Sequence, residues 1–324
     1  MPRFSIVIPT FNYAHLVGQA IASCARQSFG DHEVIVVDDG STDDTKTVVE
    51  QAFTDHLGGE GTYVYQENAG LPVARNTGLD RCTGDWVLFF DADDELEPHA
   101  LQAFEDAIQA NPDAVLLFGG YRSVTPREGE AAKIRDNPAA SVTDQPIDNF
   151  RRFVRGELRG LTPGSAIVRR DIAEAVRFDP KCQRSQDRVF FGQIIASHPV
   201  ANLPGERGIV VRCLRHGGSL RKNPHRMQQA EPFIVNSLFD AAKLPAEAMA
   251  YRNEFAGRYG IDVATNYFRS GWHRESRRAY RRAVATHPPQ RWRLRPLWRW
   301  VRSTAAMWIG RDRGPKVATD AGAS

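Results

Sequence analysis

The sequence predicts an α/β fold, a mostly parallel sheet covered by helices on both faces, with a helical C-terminal extension. Three observations predict it. Short apolar runs alternate with helical spacing through the first third of the chain, and the connections are short. Runs such as Phe4–Ile8, Glu33–Val37 and Trp86–Phe90 are almost wholly apolar instead of alternating, as strands buried on both faces are. Each run leads directly into polar residues: Thr10, Asp38-Asp39 and Asp91-Ala92-Asp93-Asp94. In parallel sheets ligands bind beyond the carboxyl ends of the strands.

Taken in order, Phe4–Ile8 ends at Pro9-Thr10-Phe11-Asn12, and Ala14–Ser28 has Leu16, Ala20, Ile21 and Cys24 on one helical face. Glu33–Val37 is the second strand, and Ser41-Thr42-Asp43-Asp44 resembles a capping box opening a helix over Thr42–Leu57. Thr62–Gln66 is a third strand, ending near Asn68, and Leu71–Arg81 is helical. Trp86–Phe90, a helix over Pro98–Gln109 and a strand over Ala114–Gly119 complete the alternation. Arg122–Asn149 is polar and reads as a long loop or lid. Arg207–Arg212 is a late strand, followed by the basic loop His216–Lys222. Helices over Met227–Lys243, Pro245–Ser270 and His273–His287 form the extension. This gives a catalytic region over 1–225, a helical region over 226–289 and a Trp/Arg-rich tail over 290–324 whose end has a disordered composition.

The net charge of +3 is unevenly spread: from Tyr251 onward sixteen Lys and Arg face five Asp and Glu, a net of +11, which leaves −8 for the first 250 residues. Four scattered cysteines form no C-x-x-C pair, so nothing points to a disulfide framework or a zinc site, and a reducing compartment fits best. The chain enters its first strand at once, leaving no room for a signal peptide, and no apolar run reaches the roughly 18 residues of a membrane span.

The acidic turn asks for a cation. Asp91, Asp93 and Asp94 repel one another at the end of a buried strand unless positive charge or donors sit among them. Mg²⁺ and Mn²⁺ take such oxygens together with phosphate oxygens. A solvated loop capping the next helix is the plainer reading of the same residues.

Four motifs, Ser5-Ile6-Val7-Ile8-Pro9-Thr10-Phe11-Asn12, Val36-Val37-Asp38-Asp39-Gly40-Ser41-Thr42-Asp43, Ala74-Arg75-Asn76-Thr77-Gly78 and Asp91-Ala92-Asp93-Asp94, are similar to those of the family 2 glycosyltransferases, in family order and spacing. The resemblance implies the GT-A fold, with a Rossmann-like sheet, and inverting transfer from a nucleotide-sugar. It implies that Thr10 and Asp39 hold the nucleotide, that Arg75 contacts it, that Asp91 faces the ribose and that Asp93 binds the metal. Asn68, at a strand end, joins the nucleotide-sugar group, and Asp94 stays open as a metal ligand beside Asp93. Arg75 pairing with Asp80 on a helix surface is its plainer reading, and Asp38 is the fallback for Asp39. A shorter match, Gln186–Phe191, puts Asp187 where the family has its general base; as a helix N-cap it would need no chemistry. His216 is a further metal candidate, and Arg212, Arg215 and Arg221 are phosphate candidates.

The expected function is therefore metal-dependent (Mn²⁺ or Mg²⁺) transfer of a sugar, from UDP foremost, to a hydroxyl of a cell-surface glycan or glycolipid. A non-catalytic nucleotide-sugar-binding or scaffold protein of the same fold is the alternative. A nucleotidyltransferase would want an early Gly-rich basic loop, and a dinucleotide enzyme a G-x-G-x-x-G after the first strand; neither is present. Arg291–Arg302 interleaves arginines with Trp292, Trp298 and Trp300, which suits the surface of an anionic membrane over residues 290–311, on the inner face of the cytoplasmic membrane. A packing helix or nonspecific attraction for nucleic acid are the plainer readings of that stretch, and nucleic acid is not taken as a partner.

Overall fold

The apolar runs of the N-terminal third lie side by side. β1 (Phe4–Thr10) pairs in parallel with β2 (His32–Asp38) on one side and β4 (Trp86–Phe89) on the other, and β3 (Gly61–Tyr65) extends the sheet from β2. The structure is a computed structural model, and it describes residues 2–127, 130–214, 233–289 and 294–308. Two helical layers bury β1 completely, and alternate side chains enter different layers, as the strand period of two dictates. Ile6 and Ile8 pack with α1 (Ala14–Ala25), α2 (Thr45–Leu57) and α4 (Ala100–Ala110). Val7 faces α3 (Leu71–Leu79) and the helices that follow α4.

Beyond β4 the sense of the sheet changes. β9 (Ala166–Arg169) inserts antiparallel between β4 and β6 (Leu116–Phe118), and β10 (Val200–Asn202) pairs in parallel with β6 at the edge. The order of the seven strands is β10-β6-β9-β4-β1-β2-β3. A second sheet, β5-β11-β7-β8, stands at the acidic turn. In it β5 (Asp94–Leu96) runs antiparallel to β11 (Ile209–Leu214), and β7 (Gly120–Arg127) and β8 (Glu130–Asn137) form a hairpin.

That hairpin corrects the loop expected over Arg122–Asn149, which also contains α5 (Pro146–Val154). The strands were hidden because β8 is exposed along most of its length and carries no apolar alternation. Cross-strand charge joins it to β7: Arg122 donates from Nε and Nη2 to Asp136 at 2.8 and 3.0 Å. The start of α2 also moves, from Thr42 to Thr45. The groups expected to cap it tie two loops together instead, Asn12 N–H donating to Ser41 Oγ at 2.8 Å and Thr42 N–H to Asn12 Oδ1 at 2.8 Å.

α6 (Arg170–Val176) and α7 (Gln186–Ser197) lead to the extension: α8 (233–238), α9 (Ala246–Met249), α10 (Arg252–Arg269), α11 (His273–Thr286) and α12 (Leu294–Trp308). One apolar cluster runs from Val7 and Phe89 through Phe150 and Phe190 to Ile234, Phe255, Tyr267 and Ala279. The extension and the sheet therefore share a core. Among the described residues no helix is long and apolar enough to cross a membrane.

Gly78, on the buried face of α3, shows how tightly α3 meets β1: a Cβ there would overlap Val7 Cγ1 and crowd Val37. In an exposed helix Gly→Ala gains about 1 kcal/mol. Here overpacking wins, and Gly78→Ala is expected to lower stability by about 1–3 kcal/mol, read as a lower urea midpoint at unchanged slope.

Candidate active site

Parallel pairing brings four strand ends to one edge of the sheet. Thr10 aligns with Asp38 and Asp38 with Tyr65, while Phe89 aligns with Val7 so that Asp91 follows two residues on. Backbone bonds carry the ladder past the strands: Asp39 N–H donates to Thr10 O at 2.9 Å, Gln66 N–H to Asp38 O at 2.9 Å and Phe90 N–H to Val7 O at 2.8 Å.

Asp39 is buried, and its carboxylate organises the crevice. It accepts from Gln66 Nε2 at 2.7 Å, Ala69 N–H at 2.8 Å and Gly70 N–H at 2.9 Å. The last two donors sit at the N-terminus of α3, where negative charge is favoured. Gly70 has φ of +91°, a left-handed conformation that favours glycine, and it lies against the Gln183 side chain. Asp38 is buried behind it, accepting from Ser41 N–H at 2.8 Å and Tyr63 Oη at 2.7 Å. Burial and that bond to Asp38 raise the Tyr63 phenol far above its ordinary range. Asn68 is exposed at the rim, its backbone packed against Gly40. Thr10 is buried, and its Oγ1 finds no partner among the described residues.

Arg75 projects from the second turn of α3. Its side chain is 1% exposed, and Nη2 donates to Asp91 Oδ1 at 2.7 Å. The guanidinium carbon lies 5.2 Å from the centre of the Phe178 ring. Nε and Nη1 are buried with no hydrogen-bond acceptor among the described residues. The pairing with Asp80 does not occur: Asp80 takes two bonds from Arg177 instead, at 2.7 and 2.9 Å.

Asp91, Asp93 and Asp94 are half-buried and offer carboxylate oxygens within 4.8 Å of one another. Hard oxygen donors so grouped fit a Mg²⁺ or Mn²⁺ ion. Asp94 is also a strut, its Oδ1 accepting from Leu214 N–H at 3.2 Å and its Oδ2 from Cys213 Sγ at 3.2 Å, both on β11. Arg212 spends its charge on the same sheet, 3.5 Å from Glu95 and 3.7 Å from Glu97. His216, Arg215 and Arg221 lie outside the described residues.

Asp187 stands in the first turn of α7, half-exposed, and none of the described side chains bonds its carboxylate. One turn on, Phe190 stacks on Phe178 at 4.2 Å and meets Phe89 edge-on at 5.6 Å. These rings set the start of α7 beside the Arg75 end of the crevice. Phe178 is in turn clamped by Asn76, which donates from Nδ2 to Phe178 O at 2.8 Å and accepts Phe178 N–H at 2.9 Å. Sequence reasoning missed Phe178, Gln66 and Gln183. Nothing in the local sequence marks the first; Gln66 stood in a strand reading, and Gln183 in a polar connector.

A profile of glycosyl transferase family 2 matches residues 5–177, more than half of the chain. The chain belongs to glycosyl transferase family 2. It is 38% identical over 137 residues to the GalNAc(5)-diNAcBac-PP-undecaprenol beta-1,3-glucosyltransferase of Campylobacter jejuni, a match covering 41% of this chain and 42% of that relative. The match thus spans less than half of the relative's length. Among solved structures, S. aureus TarS 1–349 in complex with UDP-GlcNAc superposes with a TM-score of 0.63 at 19% identity, over 95% of this chain and 92% of that one. The mannosyltransferase PcManGT from Pyrobaculum calidifontis, in complex with GDP-Man and Mn²⁺, superposes at 0.55 and 18% identity, over 95% and 88%. The family 2 chain therefore has the GT-A fold that its motifs imply, and the helical region lies within the superposed length.

The Asp39 cluster makes a stability prediction for this family 2 chain. Asp39→Asn turns one acceptor oxygen into a donor facing N–H groups, so about 1–3 kcal/mol of stability is expected to be lost. Chemical denaturation reads that loss as a lower urea midpoint.

Proposed function

We propose that the chain is an inverting glycosyltransferase that moves a sugar from a nucleoside diphosphate, UDP foremost, to a hydroxyl of a glycan or glycolipid. The observation that carries this reading is Arg75: a buried cation with two unused donors, at the shared edge of strand ends that already place Thr10, Asp39 and the acidic turn. Buried donors without acceptors are rare and call for a ligand that supplies them. A nucleoside diphosphate does so, through its carbonyls, hydroxyls and phosphate oxygens. The complexes of TarS with UDP-GlcNAc and of PcManGT with GDP-Man support the same class of donor here.

Thr10, Asp39 and Asn68 line the nucleoside end of the crevice, with Arg75 and Asp91 next to them. A divalent cation, Mn²⁺ or Mg²⁺, held by Asp93 with Asp91 or Asp94, would offset the charge growing on the departing diphosphate. Asp93 is the ligand that the family motif implies, and Asp94, whose oxygens also accept from β11, stays open beside it. His216 remains a candidate from the sequence alone. Asp187 takes the proton of the acceptor hydroxyl as the new bond forms; an alcohol cannot attack well while it keeps that proton. A single attack opposite the leaving group inverts the anomeric carbon and needs one base. The relative from Campylobacter jejuni is named for an undecaprenol-linked acceptor, which favours a lipid-linked acceptor here.

Two variants test the reading. Asp93→Ala is expected to abolish transfer and to remove the Mn²⁺ dependence of UDP binding, with the fold intact by circular dichroism. Binding of UDP with unchanged metal dependence, measured by calorimetry, would reassign the ligand. Asp187→Asn keeps the shape but cannot take a proton, so turnover is expected to fall about 10²-fold or more at nearly unchanged donor affinity. Near-normal turnover in the Asn variant would move the base elsewhere.

A further inference from the structure

We infer that the outer face of α11 and α12 is a docking surface for an anionic lipid bilayer. This deepens the reading of a lipid-linked acceptor by naming the partner surface, and its test involves no sugar transfer, so the two readings fail separately.

α12 has two faces. Trp300 and Ser303 turn inward: the Trp300 ring lies 6.1 Å from Tyr280, Ser303 is buried, and Arg299 Nη1 donates to Thr265 Oγ1 at 2.9 Å. Leu297, Trp298 and Val301 turn outward, and Trp298 is 58% exposed. Their spacing of one, three and four residues puts the three on one side of a helix. Beside them an open apolar groove of about 400 Å³ runs between the two helices, lined by Tyr280, Arg281, Val284, Ala285, Leu297 and Trp300. Large apolar side chains exposed together mark an interaction surface, not a feature of the fold.

Charge identifies the partner. α11 and α12 together carry eight arginines and one acidic residue, Glu275. Arg274, Arg278, Arg281, Arg282 and Arg302 are exposed. Arg302 lies over the Trp298 ring at 4.6 Å and over Phe268 at 5.7 Å, a cation spread on apolar surface. A second copy of this chain would bring like charges together across such a face. Nucleic acid would answer the arginines but leave Leu297 and Val301 without a partner. An anionic bilayer answers both, taking Trp, Leu and Val into the headgroup boundary while the arginines meet lipid phosphates.

The experiment is sedimentation of the full chain with vesicles of phosphatidylcholine containing phosphatidylglycerol, against vesicles of phosphatidylcholine alone. The chain is expected to pellet with the anionic vesicles and far less with the neutral ones. The triple variant Leu297→Ser, Trp298→Ser, Val301→Ser is expected to lower the partition coefficient about tenfold or more. The pair Arg281→Gln, Arg302→Gln is expected to lower it at low salt and to matter less at high salt. Circular dichroism and the urea midpoint serve as the controls for folding and should be the same in all forms. Equal pelleting of the wild type and the triple variant would overturn the inference, as would equal binding to neutral vesicles. So would a dimer, in the absence of lipid, that the triple variant dissociates, since that outcome would assign the face to a second copy.

Discussion

Much of the crevice depends on one buried guanidinium. Taking the Arg75 cation out of water costs several kcal/mol, and the described residues return one carboxylate oxygen and the face of one ring. That deficit is held in place by its neighbours. Asn76, next in sequence, grips the backbone of Phe178, and Phe178 stacks on Phe190. So α3, the acidic turn, the connector after α6 and the start of α7 meet around a single positive charge. A donor group that reached Nε and Nη1 would relieve a cost already met in folding, which is how a site becomes preorganised.

The acidic turn is gripped from two sides. Arg75 holds Asp91 from the large sheet, and β11 holds Asp94 from the small one. Asp93 stands between them. The small sheet thus does more than decorate the edge. The position of β5 fixes the exit of the acidic turn, and β5 is fixed by pairing with β11, which rests on the hairpin.

What the sequence made legible was local. Buried parallel strands show as continuous apolar runs, and the polar residues that end them follow within two or three positions, so Thr10, Asp39 and Asp91 to Asp94 were readable without a structure. Partners distant in the chain were not. Arg75 was marked by its motif, but Phe178 lies about a hundred residues on, and nothing in its own sequence context sets it apart from an ordinary core phenylalanine. The hairpin was illegible for a different reason. A solvent-facing antiparallel pair can be held by backbone bonds and a charge pair such as Arg122–Asp136, and such a segment has the composition of a loop. The antiparallel β9 was masked similarly, because Ala166–Val168 is as apolar as its parallel neighbours and direction leaves no mark on composition.

The apolar cluster that joins Val7 and Phe89 to α10 and α11 has a consequence for how the chain comes apart. The expected boundary between the catalytic and helical regions near residue 225 would ordinarily mark a place where one part melts before the other. Here the Phe150 ring meets Phe239 and Phe239 meets Phe255, contacts that cross it inside one apolar cluster, so neither part keeps a sealed interior without the other. Loss of the helices uncovers the layer behind the sheet, and loss of the sheet leaves the helices with a bare flank. The two should unfold as one cooperative unit, and probes in β1 and in α10 should report a single denaturation midpoint. Two separated transitions would show that the shared interior does not couple them.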